Sequence, residues 1–194
     1  MNKPKGYDEA QAYGDYTPLE LGGHICKIMS VEEMKSRTGK DMLKISLDIA
    51  EGPQKDFYAE QYRNSTFEDK RWGCIVYQLV YDNDGNTNKG LKTFLTSVEE
   101  SNTGYKVSWG DTFCKSLKGK LIGGVFGREQ YENRNGELKW STKCVQFRSV
   151  ETIKKGVNVP EDKYLKDHES SGHQSAPTSS GDFTEITGED DLPF

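Results

Sequence analysis

Residues 42–49, MLKISLDI, alternate strictly. Leu43, Ile45, Leu47 and Ile49 take one face, and Lys44, Ser46 and Asp48 take the other. That is the period of a half-buried strand. GGHICKIMSV at 22–31 reads as the strand before it. The polar EEMKSRTGKD between them closes a hairpin with a long basic tip at Lys35, Arg37 and Lys40. DFYAEQYR at 56–63 reads as a third, short strand after the EGP turn. The period then lengthens. Ser65-x-x-Glu68 offers a capping box, and Trp72, Ile75, Val76, Leu79 and Val80 fall on one helical face. DNDGNTN at 82–88 ends that helix as a turn; Gly85 is at the wrong offset for a calcium loop. Leu91, Phe94, Leu95 and Val98 mark a second amphipathic helix, and Asp111 is placed to cap a third that runs to Leu117. Strands return at 119–131 and 137–148. They are joined across ENRNGE, where Asn135-Gly136 predicts a type I′ turn with φ > 0 at both positions. Gly123, Gly124 and Gly127 predict a bend or bulge inside the first of these strands.

Three strands, helices and two more strands predict a mainly β fold with a helical insert (α+β). The specific form expected is a five-stranded OB-type barrel, against the alternative of a generic α+β domain. The barrel domain spans 1–166, with its insert at about 65–118 and a short polar extension at 149–166. Tyr7, Tyr13 and Tyr16 are the expected anchors of the irregular N-terminus. Residues 167–187, with ESSGHQSAPTSSGD at their start, form a low-complexity flexible linker that cannot bury enough apolar surface to order itself. GEDDLPF, 188–194, is an acidic tip ending in three residues of apolar character.

Composition narrows the class. No run of eighteen apolar residues predicts a membrane span, and MNKPKGYDEAQAYGDY lacks the apolar region of a secretory signal. Cys26, Cys74, Cys114 and Cys144 show no C-x-x-C spacing and read as small buried hydrophobes in a reducing cytoplasm. The net charge of −5 is unevenly spread. Residues 168–194 carry six acids and no Lys or Arg. Without them, 25 acids face 26 bases, a net of +1. Residues 112–155 hold ten bases and four acids, a local +6. Such asymmetry predicts an anionic partner for the body and a separate task for the tail.

Little in the sequence reads as catalytic. It has no G-x-x-x-x-G-K-[ST], G-x-S-x-G or H-E-x-x-H. No zinc ligand set, other metal site or cofactor motif is recognised, and the remote enzyme alternative is a metal nuclease built on Asp41, Asp48 and Glu51. The expectation is a protein that is not an enzyme. Binding chemistry is richer, because aromatics and cations interleave, as a single nucleic-acid strand requires for stacking and phosphate contact. The candidate contacts are Lys35, Arg37, Lys40 and Lys44 on the first hairpin, and Tyr58, Tyr62 and Arg63. On the last two strands they are Phe126, Arg128, Tyr131, Lys139, Trp140, Lys143 and Arg148, with Phe147 evenly divided between core and platform. Trp72 reads as core.

Asp190-Asp191-Leu192-Pro193-Phe194 resembles the C-terminal tip of bacterial and phage single-stranded DNA-binding proteins, in which an acidic pair, an aliphatic residue, Pro and a terminal Phe follow a Gly/Ser/Pro/Gln-rich linker. AYGDYTPLELGGHICKI, SRTGKDMLKISLDIAEG, KRWGCIVYQLV and KGKLIGGVFGREQY resemble the members of that family from phages and prophages of Gram-positive bacteria. The resemblance implies an OB fold, a bacterial host cytoplasm, and coating of single-stranded DNA in phage DNA replication or recombination. It also implies recruitment of replication, recombination or repair enzymes through the tip. There Asp190 and Asp191 meet a basic rim, Leu192 fills the aliphatic slot, Pro193 restricts the chain, and Phe194 enters an apolar pocket whose cation pairs with its carboxylate. Two alternatives stay open. One is an adaptor or inhibitor that occupies the host pockets for that tip with little DNA affinity; the other is an annealing recombinase. One stacking platform would bind weakly, which favours cooperative binding or a homo-oligomer.

Overall fold

The alternation of 42–49 is met by cover on both faces. In the computed structural model, which describes residues 2–7 and 17–165, β2 (Asp41–Ile49) buries Leu43, Ile45, Leu47 and Ile49, and it buries Ser46 and Asp48 as well. It pairs along its length with the fourteen-residue β1 (Gly22–Lys35), whose register slips between Ile28 and Ser30. The helix α1 (Phe57–Asn64) follows β2, and β3 (Ile75–Leu79) pairs with β2 on its other side. Then come α2 (Lys89–Ser101), α3 (Phe113–Leu117), β4 (Leu121–Glu132), β5 (Leu138–Arg148) and α4 (Val150–Lys155). β4 pairs with the first half of β1, and β5 with β4.

The result is a mixed α+β fold on one antiparallel sheet, ordered β3-β2-β1-β4-β5. The expected OB-type barrel is corrected: β3 and β5 are separate edges and no ladder joins them. The physical reason lies in α2, which touches β3, β4 and β5. Phe94 and Val98 of α2 are fully buried, and the Phe94 ring lies 5.0 Å from that of Phe147 in β5. A helix whose apolar stripe fills the interior covers the apolar side chains of both edge strands, which are left as separate edges.

Two elements exchange identity relative to the sequence reading. Residues 56–63, expected as a strand, form α1, and the expected helix across 72–80 contains β3 instead. Ile75, Val76 and Tyr77 are strand formers, and apolar positions spaced 75, 76 and 79 satisfy both periods. Ser65 follows α1 as its C-cap rather than opening a helix. The α1 N-terminus is capped from a distance. Asp48 in β2 accepts from the backbone N–H of Tyr58 and Ile49 at 2.9 Å through Oδ1, and from Ala59 at 3.2 Å through Oδ2. Thr112, not Asp111, stands at the α3 N-cap.

The hairpin at 133–137 is also not the type I′ turn expected. Only Gly136 has positive φ (77°), and the Asn133 side chain accepts from the N–H of Asn135 and Glu137. The β4 glycines do coincide with a register shift, between Val125 and Phe126. Gly123 has a further use: an added Cβ would overlap Ile153 and stand 2.8 Å from the Arg148 carbonyl oxygen, so its bareness seats α4. Cys26, Cys74 and Cys144 are buried free thiols, and burial pushes Cys74 up to about 12. Tyr7 is 64% exposed and does not anchor the N-terminus. Tyr13, Tyr16, the linker at 167–187 and the tip lie outside the described residues. No helix among the described residues is long and apolar enough to cross a membrane.

Asp48→Ala strands two buried backbone donors and one part-buried donor, so we expect a loss of about 3 kcal/mol in urea unfolding. Asp48→Asn keeps one acceptor and costs less. Burial raises the Asp48 carboxyl above its ordinary value, against the lowering pull of those N–H groups. Its contribution is therefore greatest below the ordinary Asp range and shrinks as pH rises through the folded value. The stability difference between wild type and Asp48→Asn should move against wild type as pH rises.

Candidate protein-docking groove

The residues expected to touch nucleic acid are dispersed. Lys35 pairs with Asp41 at 2.7 Å, and Lys44 with Glu32 at 3.2 Å. Arg37 and Lys40 sit exposed in the turn between β1 and β2. Tyr58 (4% exposed) and Phe126 (0%) are stacked core residues, which corrects their reading as base platforms. Tyr62 is half-exposed against Trp72, with the Lys70 ammonium 5.8 Å from its ring, and Arg63 donates to the Ala59 carbonyl. Arg148 donates to the Phe147 carbonyl and to Gln146.

Only the β4–β5 hairpin gathers several of the remaining candidates, and there the chain's own 162–164 segment engages them. Lys163 donates its N–H to the Arg128 carbonyl and accepts from the Gln130 N–H, lining the edge of β4 beyond the start of β1. Arg128 forms a two-point ion pair with Asp162, holding that carboxyl below the usual range. The Arg128 guanidinium lies 5.1 Å from the Trp140 ring, which also meets Tyr164 edge-on at 5.2 Å. Lys143 pairs with Glu129 and Lys139 with Glu137. Tyr131 is exposed opposite Lys139. Asp190, Asp191, Leu192, Pro193 and Phe194 lie outside the described residues. Asp41, Asp48 and Glu51 form no metal site: among the described residues no group of three or more His, Cys, Asp or Glu is placed to hold one.

A different surface has the features of a binding site. A groove of about 760 Å³ runs between the far half of the β1–β2 hairpin and the turn before α3. Val31, Leu43, Leu91 and Phe113 are buried along it, with Met34, Val80 and Cys114 partly covered. Tyr81 (51% exposed) and Trp109 (69% exposed) also line it. The Trp109 ring lies flat on Phe113, with centroids 5.1 Å apart and planes within 5°. Glu32, Glu33, Asp41 and Asp111 complete the lining.

The Trp109 loop is held by its neighbours. The Asn102 side chain donates to the carbonyls of Val98 and Leu121 and accepts from the Leu121 N–H. Tyr105 bonds Ser116 through its hydroxyl and carries the Lys120 ammonium 4.4 Å from its ring. Glu99 accepts from the Val107 N–H at 2.9 Å and the Lys106 ammonium at 3.1 Å, and these two bonds hold its carboxyl below the ordinary Glu value. The sequence reading gave Trp109 and Tyr81 no role. Their available signal was an isolated aromatic outside any periodic run, in VSWGD and in VYDN.

No protein-family model matches the chain, and no curated protein matches it. With the sheet open, these findings overturn the resemblance to single-stranded DNA-binding proteins. The OB fold, the DNA-coating function and its adaptor and annealing variants fall with it.

The Glu99 anchor is present above the ordinary Glu range and is lost as pH falls through the lowered folded value. Glu99→Ala should raise Val107 amide exchange at least tenfold by NMR at neutral pH while leaving β1 and β2 protected. Unchanged Val107 exchange would remove Glu99 as the anchor.

Proposed function

We propose that this chain is a non-catalytic interaction module that docks an apolar segment of another protein in the groove lined by Tyr81 and Trp109. One observation carries the reading: two large aromatic side chains stand more than half exposed beside an apolar floor. Tyr and Trp concentrate binding energy at protein interfaces because they bury much area with few torsions to fix. Each apolar side chain fully buried in such a groove stabilises by about 1.5–3 kcal/mol. Since about 1.4 kcal/mol is tenfold in affinity, a segment with two or three anchors reaches useful binding after the cost of ordering it. The volume suits a few side chains.

The test is selection of a random peptide display library on the full chain. Selected peptides should lose at least tenfold in affinity with Trp109→Ala and keep it with Trp140→Ala, which lies on the other hairpin. Failure to select peptides, or binding indifferent to Trp109, would overturn the docking reading.

A further inference from the structure

Resting on that docking reading, we infer that the segment accepted by the groove is basic: apolar anchors flanked by Lys or Arg. Four carboxylates line the groove, on Glu32, Glu33, Asp41 and Asp111, and no Lys or Arg does. Their situations differ. Glu32 is paired with Lys44 and Asp41 with Lys35. Glu33 and Asp111 make no ion pair among the described residues. Glu33 faces the groove from β1, with its carboxylate oxygen 4.0 Å from the Cys114 sulfur, and Asp111 sits in the exposed turn that follows Trp109.

Two available carboxylates beside two exposed aromatic rings make a site for a cation on an apolar stem. An ammonium or guanidinium gains from a carboxylate and from a ring face at once, and a Lys or Arg stem buries its methylenes along the apolar lining. The same charges disfavour the opposite partner. Phosphate-bearing polymers and anionic membranes would bring like charge within a Debye length of Glu33 and Asp111. The acidic groove also contrasts with the +6 stretch at 112–155, most of which lies on β4, β5 and α4.

The experiment takes the peptides selected through Trp109 and synthesises each with its charged positions as Lys or as Glu. Affinity is read by fluorescence anisotropy on the full chain at two salt concentrations. The Lys form should bind at least tenfold tighter than the Glu form, and the advantage should shrink as salt rises. Glu33→Lys with Asp111→Lys should reverse the order. Glu33→Gln with Asp111→Asn, which keeps shape, should equalise the two forms if the double Lys variant fails to fold by circular dichroism. Trp109-dependent peptides that bind equally as Lys and Glu forms, or better as Glu, would overturn the basic partner and leave docking standing. Heparin binding abolished by Trp109→Ala would also overturn it. Absence of any Trp109-dependent peptide overturns both readings.

Discussion

Phe94 on α2 and Phe147 on β5 are both fully buried and in ring contact, and much of the molecule is arranged around the helix that makes that contact. α2 occupies the space between the two edge strands, so the five-stranded sheet ends in two edges rather than a closed ring. The helix is itself fixed at both ends. Asn88 at its N-cap accepts from the Gly90 N–H and from the buried Gln78 amide of β3, and Asn102 at its C-cap clamps to Leu121 at the start of β4. Polar side chains thus fix the helix at each end, while its apolar face fills the interior.

The groove is a product of the same helix. Leu91, in the first turn of α2, supplies part of the floor, and Glu99, in its last turns, holds the loop that carries Trp109. Tyr81 lies just after β3, where the chain turns back toward α2. The floor is therefore set by buried packing, and the loop carrying Trp109 by the Glu99 hydrogen bonds at the surface. Both leave the groove preformed, an arrangement that limits the ordering cost of binding.

The strands and amphipathic helices with long, unambiguous periods were legible in the sequence: β1, β2, β4, β5 and α2. The interval 56–80 was not. IVYQL fits either period over five residues, and α1 is capped by Asp48, a contact from the previous strand that no local window contains. Closure of the sheet was equally hidden, because strand order fixes neighbours but not whether the two last strands meet. Charge counting found the +6 stretch but could not see that Arg128, Lys139 and Lys143 are answered by Asp162, Glu137 and Glu129. Tyr58 and Phe126 illustrate the same limit for aromatics, since adjacency to charge in sequence did not keep either ring out of the core. The groove depends on Trp109 lying on Phe113, at the end of a loop that Glu99 anchors through Lys106 and Val107 rather than through any motif.

The most direct test of this account is a set of nuclear Overhauser contacts across the open side of the sheet. The account predicts ring contacts between Phe94 and Phe147, with no backbone cross-strand contacts between Ile75–Leu79 and Leu138–Arg148. A ladder of backbone contacts joining those two strands would show a closed sheet and contradict the wedge on which the fold and the groove depend.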